Sequence, residues 1–451
     1  MPDSGLATAN PARLDATTAA DRIARGRLAI DRLTDACLDV VAAREPELLA
    51  WAFIDPAYCR RQASTLIDGL AKGQTPGRLL GVPVGVKDIF ATADMPTANG
   101  TALHAGRQPA ADSAVVERLR AAGAIVLGKT VTTELAAFTP GPTRNPHDPT
   151  RTPGGSSSGS AAAVAANMVP LAIGSQTNGS VIRPASYCGV YGFKPSFGLI
   201  SRRGMTLQSP TVDHVGVFAR RLADAALLVE VLAGYDSADP AMRPRATPPL
   251  VAAALAGRTR APRLALIDDF AWETPGPSTL AVFDEIARAL PGVVDRTELP
   301  PGFAAAKDVH QSISWAELAH ELADLHAAHP EGLSDGLRAM IEWGQRLGAG
   351  AYLAALAERR RLQAAVLPLF DEFDAILTPA AAGEAPVGLG STGSPGFCTL
   401  WSLLGTPAVC LPLRHGPSGM PLGVQLVGRL GEDAKLLATA AWLEQALAPG
   451  S

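Results

Sequence analysis

The sequence predicts an α/β protein in which a β-sheet is covered by helices on both faces. Short apolar runs typical of buried strands alternate with helical patterns between residues 79 and 236. Two more such runs, at 373–379 and 421–428, return strands to the sheet near the end of the chain. The 451 residues are 47% hydrophobic and show no internal repeat and no low-complexity linker. One continuous domain, 1–451, is therefore expected.

The elements of the first half follow from local patterns. Apolar residues at helical spacing predict one or two amphipathic helices within 17–46, with Thr17 or Thr18 as the N-cap. The run 79–90 is strand-like but contains glycines and a proline, which indicates a backbone that passes tightly against its neighbours. The remaining elements predicted here are a helix at 113–123, a strand at 124–129, a small-residue helix at 159–167, a strand at 170–176 and a helix at 220–236.

Composition changes along the chain divide this single domain into segments. The stretch 237–370 is rich in alanine and its helical patterns are broken by prolines, so we expect a variable helical insert there. A last helix is predicted at 433–447. The segments are then the N-terminal helices 17–70, a core at 76–236, the insert 237–370 and a C-terminal return to the sheet at 371–447.

Charge and cysteine content exclude several classes of function. The formal net charge is −4, so the chain has no positive field that would attract nucleic acid or an anionic membrane. Five scattered cysteines without a C-x-x-C pair indicate structural thiols in a reducing compartment, not disulfides or a zinc site. The first residues are polar, and no stretch of about 18 residues is apolar enough to span a bilayer. We expect a cytoplasmic protein without nucleic-acid or membrane partners.

Two glycine-containing motifs match known patterns but lack their structural context. GAIVLGKT, 123–130, fits the Walker A pattern, yet an apolar strand is predicted where a P-loop needs a flexible loop. GSSSG, 155–159, fits the nucleophile elbow of α/β-hydrolases, yet a polar, proline-rich loop precedes it instead of a strand. Because the pattern itself matches, an α/β-hydrolase esterase that uses Ser157, Asp374 and His415 is kept as an alternative of another class.

Lys87 is the candidate base for a serine nucleophile. Residues 153–198 are crowded with small and hydroxyl side chains but contain no His, Asp or Glu that could activate them. Lys87 stands in the mostly apolar run GVPVGVKDIF, where burial would lower its pKa and leave a neutral amine. On residue type alone, a lysine that reaches solvent from a strand end or pairs with Asp88 is the simpler interpretation.

Five motifs in order resemble the amidase signature family: GVPVGVKD, GKT, TRNPHDPTRTPGGSSSGSAAAVAA, GSQTNGSVIRPASYCGVYGFKPS and GVQLVGR. The matching segments lie within about 20–236 and 373–445, and the insert between them has no match. The resemblance implies a single-domain amidase signature fold with a mixed central sheet and a Ser–cis-Ser–Lys triad. By position within the motifs, the lysine is Lys87, the serine after the cis peptide is Ser156 and the nucleophile is Ser180.

The resemblance also implies which groups stabilise the oxyanion and contact the substrate. The implied oxyanion donors are the backbone N–H groups of Thr177, Asn178, Gly179 and Ser180. Asn178 stands where many members have glycine, and because asparagine tolerates the left-handed backbone region the turn is expected to survive. The implied substrate contacts are Arg183, Ser157 and Thr133.

Arg183 has two interpretations. It follows the implied nucleophile by three positions, as in malonamidase-type relatives, where this arginine can meet a substrate carboxylate. The other interpretation is a buried structural ion pair.

The resemblance implies an amide hydrolase that uses neither metal nor organic cofactor. Attack on an amide R–CO–NH–R′ would give an acyl-Ser180 enzyme and a free amine, and water would then release the acid. The expected partner is a small-molecule amide or carbamate; urethanes and aryl esters present the same carbonyl. A monomer or homodimer is expected.

The alternative within the family is an amidotransferase A-type subunit that acts in a complex on charged tRNA. A non-catalytic role is disfavoured because all triad positions are filled.

Overall fold

A mixed β-sheet of eleven strands runs through the residues that the computed structural model describes, 10–75, 77–300 and 302–448. In chain order the strands are β1 (Trp51–Ile54), β2 (Pro83–Lys87), β3 (Ile125–Thr130), β4 (Leu171–Gln176), β5 (Tyr191–Lys194), β6 (His214–Ala219), β7 (Leu264–Leu266), β8 (Val294–Arg296), β9 (Ala375–Pro379), β10 (Ala408–His415) and β11 (Pro421–Val427). Their order across the sheet is β1-β3-β2-β4-β6-β5-β10-β11-β9-β7-β8. β2 is parallel to β3 and β4, β7 is parallel to β8 and β9, and the other pairs are antiparallel.

Helices cover both faces of this sheet. In chain order they are α1 (Ala16–Ala24), α2 (Ile30–Leu48), α3 (Pro56–Ala71), α4 (Ala114–Ala121), α5 (Ser158–Ala165), α6 (Ile182–Cys188), α7 (Leu222–Leu232), α8 (Leu250–Ala256), α9 (Pro277–Ala289), α10 (Ala306–Glu321), α11 (Ala323–Ala328), α12 (Asp335–Arg346), α13 (Ala349–Ala365), α14 (Leu367–Glu372), α15 (Gly396–Leu404) and α16 (Asp433–Ala446). No helix within the described ranges is both long enough and apolar enough to cross a membrane.

Side chains that alternate along the strands build a separate core on each face. In β4, Leu171 and Ile173 belong to the core formed with α4, α7, α8, α9 and α16. Ala172 points to the opposite core, which contains α2, α5, α6, α10, α13 and α15. Small residues let α5 approach closely there: a Cβ atom at Gly159 would lie 2.2 Å from the Ala50 carbonyl oxygen. The glycine- and alanine-rich motif is thus a packing requirement as well as a chemical one.

The α/β class with helices on both faces is confirmed, and several local predictions are corrected. The insert 237–370 is not wholly helical, because β7 and β8 form the last two strands at one edge of the sheet. These strands have three residues each and give little periodic signal. The cap of α1 is Asp15, whose carboxylate accepts from the Thr18 N–H at 2.7 Å, not Thr17 or Thr18 themselves.

Candidate active site

Lys87 lies at the end of strand β2, between β3 and β4, with its side chain fully buried. Its ammonium nitrogen Nζ is 2.7 Å from Ser156 Oγ and 2.8 Å from Ser175 Oγ. The simpler interpretation of this lysine is wrong: it neither reaches solvent nor pairs with Asp88, whose carboxylate lies 3.1 Å from Lys129 Nζ. Two hydroxyl groups therefore surround a nitrogen that has no carboxylate in contact.

Burial lowers the pKa of Lys87 to about 7, because the apolar surroundings disfavour the charged ammonium. The Asp213 carboxylate acts in the opposite direction and offsets this effect only in part. Near neutral pH a large fraction of the amine is therefore unprotonated. Such an amine can accept a proton, which an ordinary surface lysine cannot do at this pH.

Ser156 stands on a turn that is pressed against the start of α6. The Gly155–Ser156 peptide bond is cis. Arg183, in α6, donates from Nη2 to the Gly155 carbonyl at 2.6 Å. Gly154 has a φ of +80°, and a Cβ atom there would lie 2.8 Å from Pro184 Cα, so only glycine fits. These contacts of the two residues before Ser156 hold the turn against the start of α6.

Ser180 ends the turn that joins β4 to α6. The Gln176 side-chain oxygen accepts from the N–H groups of Val181 at 2.8 Å and Ile182 at 3.0 Å, which satisfies the otherwise unpaired start of the helix. Ser180 is 8% exposed and lines a cleft. A reactive hydroxyl at this position can be reached by a small molecule, while the Ser156 turn packs against the same helix end.

The turn 177–180 leaves its backbone N–H groups available. These four residues lie between β4 and α6. Among the described residues, none of their backbone N–H groups donates to an acceptor. The carbonyls of Thr177 and Asn178 are occupied: they accept from His310 Nε2 at 3.0 Å and from Ser402 Oγ at 2.5 Å. Asn178 lies outside the left-handed region, so that tolerance is not needed; its side-chain oxygen instead accepts from Thr399 Oγ1 at 2.8 Å.

A cleft opens beside Ser180. Loop 136–138 forms one wall, and α10 and α12 of the insert form the other. Its apolar lining consists of Ala136, Ala137, Phe138, Trp315, Leu318, Met340 and Pro395. A second cavity shares Phe138, Asn178, His310, Trp315 and Pro395 with it and is also lined by Glu273 and Lys307.

His310 lies between the cleft and the turn, and burial lowers the pKa of its imidazole to about 4. The ring is therefore neutral at ordinary pH, and its bond to the Thr177 carbonyl places the proton on Nε2. That nitrogen is occupied as a donor, so it cannot at the same time act as the base for a serine.

Arg183 is 2% exposed and forms no ion pair among the described residues, so the buried ion-pair interpretation is wrong. Its Nη2 group donates to the Gly155 carbonyl and to Thr392 Oγ1, at 2.6 and 3.1 Å, while Nε and Nη1 have no hydrogen-bond partner. Burial lowers the pKa of this guanidinium. The side chain lines the cleft, and one of its nitrogens positions the residue that precedes Ser156.

The structure places the other two implied substrate contacts below the cleft surface. Thr133 is fully buried and donates from Oγ1 to the Ala137 carbonyl at 2.7 Å. Ser157 is fully buried and donates from Oγ to the Ser175 carbonyl at 3.2 Å. Both hydroxyl groups brace backbone segments of the site, and neither lines the cleft.

The residues of the esterase alternative do not come together. Ser157 is bonded to β4, and Asp374 pairs with Arg258 at 3.0 Å and Lys435 at 3.3 Å. His415 is exposed at the end of β10 and contacts neither of them. No strand leads into Ser157, as the loop before it already suggested. This alternative is wrong.

Four polar residues of the site were missed from the sequence: Ser175, Asp213, His310 and Ser402. Ser175 stands within the motif GSQTNGS, where its neighbours drew attention instead. Asp213 accepts from Thr177 Oγ1 at 2.6 Å, a contact that appears only when β4 and β6 pair. His310 and Ser402 arrive from α10 and α15 and carry no local signal. Within the described ranges, no group of three or more His, Cys, Asp or Glu side chains is arranged to hold a metal ion.

This chain is similar to known proteins over nearly its whole length. The family model described as "Amidase" matches residues 32–437. The putative amidase AmiD of Mycobacterium tuberculosis (strain ATCC 25618 / H37Rv) is 35% identical over 437 residues, which cover 92% of this chain and 90% of AmiD. The A-type subunit of the glutamyl-tRNA(Gln) amidotransferase of Salinispora arenicola is 32% identical over 485 residues, with 97% of this chain and 98% of that one covered.

A solved structure extends the likeness to three dimensions. The peptide amidase from Stenotrophomonas maltophilia superposes with a TM-score of 0.82 at 30% identity, over 96% of each chain. Shared fold and sequence define the class: an enzyme that hydrolyses carbon–nitrogen bonds in amides. The chain belongs to the amidase family, as the five ordered motifs predicted.

Proposed function

We propose that Ser180 is the nucleophile, Ser156 the proton relay and Lys87 the base of an acyl-transfer reaction on amides. The observation that carries the proposal is the 2.7 Å contact between the fully buried Lys87 Nζ and Ser156 Oγ. The Ser156 turn packs on the start of α6, next to Ser180. Only a hydroxyl can donate and accept a proton on so short a side chain.

The proton steps balance without any further group. Ser180 Oγ bonds to the carbonyl carbon while its proton passes to Ser156, whose own proton goes to neutral Lys87. When the carbon–nitrogen bond breaks, Lys87 returns a proton through Ser156 to the departing amine. Water then attacks the acyl ester by the same relay, and the acid leaves with Ser180 restored.

Backbone N–H groups of Thr177, Asn178, Gly179 and Ser180 are the proposed donors to the oxyanion. Their availability in the turn supports this role. Donors fixed in advance stabilise the developing charge without reorganising during the reaction. Losing one such donor typically lowers the rate by about 10²–10³-fold.

The lining of the cleft favours a substrate with an apolar or aromatic group next to the scissile carbonyl. Carbamates, including urethanes, and aryl esters share the carbonyl geometry and belong to the proposed range. Arg183 could add selectivity for an acidic acyl group through its two unpartnered nitrogens, Nε and Nη1. The structural bond of its third nitrogen to the Gly155 carbonyl is compatible with that role.

A second candidate function is that of an amidotransferase A-type subunit. It is favoured by the likeness to the Salinispora arenicola protein over nearly the whole of both chains. Such a protein would depend on partner chains for its reaction. Amide hydrolysis by the isolated chain at a full catalytic rate would exclude it.

The deciding experiment is turnover of a panel of amides, carbamates and aryl esters by the isolated protein and by Ser180→Ala. We expect hydrolysis by the wild-type protein and none by the variant. Ser64→Ala, at an exposed serine on α3, serves as the matched control and should hydrolyse like wild type. Equal turnover by Ser180→Ala would refute the nucleophile.

Compartment and oligomeric state remain predictions, namely the cytoplasm and a monomer or homodimer. The five cysteines are all free and buried, which is compatible with a reducing compartment. Sedimentation velocity of the isolated protein would measure the oligomeric state.

A further inference from the structure

Two hydrogen bonds from distant helices hold the turn 177–180. His310 Nε2 donates to the Thr177 carbonyl at 3.0 Å, and Ser402 Oγ donates to the Asn178 carbonyl at 2.5 Å. Both side chains are buried, His310 in α10 and Ser402 in α15. Side chains from two helices thus hydrogen-bond to two successive carbonyl groups of one turn.

Because the peptide group is planar, a hydrogen bond to its carbonyl also fixes the direction of its N–H. In a trans peptide the C=O and the following N–H lie in one plane and point in opposite directions. Fixing the Thr177 carbonyl therefore aims the Asn178 N–H away from His310. Fixing the Asn178 carbonyl in the same way aims the Gly179 N–H away from Ser402. A bond to the carbonyl also polarises the peptide group and makes its N–H a better donor.

We propose that His310 and Ser402 are positioning residues that orient the Asn178 and Gly179 N–H groups toward the oxyanion. The proposal rests on the proposed function of the turn and names the side chains that make it work. His310 acts here through its Nε2–H alone. Ser314 Oγ donates to the His310 carbonyl at 2.8 Å and lies 3.4 Å from Nδ1, which carries no proton when Nε2 is the donor.

The test compares substitutions that keep or remove the donor at constant size. His310→Phe keeps a ring of similar volume without an N–H, and His310→Gln places an amide N–H near the position of Nε2. We expect His310→Phe to lower kcat and kcat/KM together by about ten- to hundredfold, less than outright loss of an oxyanion donor. His310→Gln should restore most of the rate. His320→Phe, at an exposed histidine on the same helix, is the matched control and should leave kcat unchanged.

Three outcomes would overturn the proposal: wild-type kcat in folded His310→Phe, an equal loss in His310→Gln and His310→Phe, or a change confined to KM. The last would assign His310 to substrate binding, since it also lines the cleft. If His310→Phe does not fold, Ser402→Ala decides in the same assay, and wild-type kcat there would overturn the proposal. Wild-type protein without Ser180-dependent turnover is a different failure: it would refute the proposed function, and the positioning role with it.

Discussion

Replacing Lys87 by methionine removes a proton acceptor and, at the same time, a destabilising buried charge. Methionine has a similar length and no charge, so the cavity stays filled. The pKa of Lys87 falls from 10.5 to about 7 on burial. At about 1.4 kcal/mol for each tenfold change in proton affinity, holding the lysine protonated costs the folded state roughly 5 kcal/mol.

The sign of the pH dependence follows from which state binds the proton. Between pH 7 and 10.5 the unfolded chain keeps the lysine protonated while the folded protein does not, so the free energy of unfolding rises with pH in this window. The penalty is fully present below pH 7. Lys87→Met also leaves the Ser156 and Ser175 hydroxyls without their donor, at about 1 kcal/mol each. A net stabilisation of about 2–4 kcal/mol is expected at pH 6. At pH 9 the penalty has fallen to about 2 kcal/mol, which the lost hydrogen bonds offset, so the net effect there is about zero.

The rate should follow the neutral fraction of Lys87. With a pKa of about 7 that fraction is about one half at pH 7 and about one tenth at pH 6. Amide kcat/KM of the wild-type protein should therefore rise about fivefold between pH 6 and pH 7 and level off above pH 8. Lys87→Met should be inactive on amides at every pH.

The assay is paired: thermal unfolding from pH 6 to 9, and amide turnover over the same range. Lys194→Met is the matched control, because burial also lowers the pKa of Lys194 to about 7 and its ammonium donates to the Thr406 carbonyl away from the cleft. This control should gain stability with the same sign and keep the wild-type rate profile. Amide turnover by Lys87→Met would refute the relay. A Lys87→Met variant less stable than wild type at pH 6, beside a stabilised Lys194→Met, would refute the neutral-amine argument.

The remaining predictions concern the nucleophile, the arginine and the relay. Ser180→Ala should lose all covalent labelling by a fluorophosphonate probe while its circular dichroism spectrum is unchanged; retained labelling contradicts the assignment. Arg183→Ala should lower the Tm, because the Gly155 carbonyl and Thr392 lose a charged donor worth about 1.5–3 kcal/mol; a KM increase limited to acidic amides at constant Tm would assign the residue to substrate binding instead. Lys87→Ala should lose more activity on amides than on activated esters, whose leaving group needs no proton; equal losses on both would contradict proton delivery to the amine.

Local patterns in the sequence predicted the candidate site residues and the helices and strands near them. They did not predict which strands pair in the sheet. Lys87 became a candidate because a lysine in an apolar run is unusual, and the ordered motifs singled out Ser156 and Ser180; the catalytic roles of all three stay predictions. β4 and α5 were predicted within one or two residues, since a buried strand and a small-residue helix leave clear local patterns. The sheet order could not be predicted, because β10 must pair with β5, more than two hundred residues earlier in the chain, as well as with the neighbouring β11.

The parts of the site that the sequence left open are tertiary contacts between distant segments. His310 is 133 residues from the carbonyl it binds, and Ser402 is 224 residues from its own. Neither residue type is unusual on a helix, so no pattern marks them. Arg183 had two interpretations from the sequence: the buried ion pair is wrong, because its closest acceptor is the Gly155 carbonyl, and contact with a substrate carboxylate stays a prediction.

Helix α10 constrains how this protein can diversify. One helix both supplies cleft residues such as Trp315 and Leu318 and sets the hydrogen bond from His310. An inserted or deleted residue before His310 would rotate the following helix by about 100° and shift it by about 1.5 Å, which would separate the ring from the Thr177 carbonyl. Point substitutions on the cleft face leave that register intact. This protein can therefore acquire new substrates by substitutions along α10. Insertions or deletions in the helix before His310 would break the hydrogen bond to the turn.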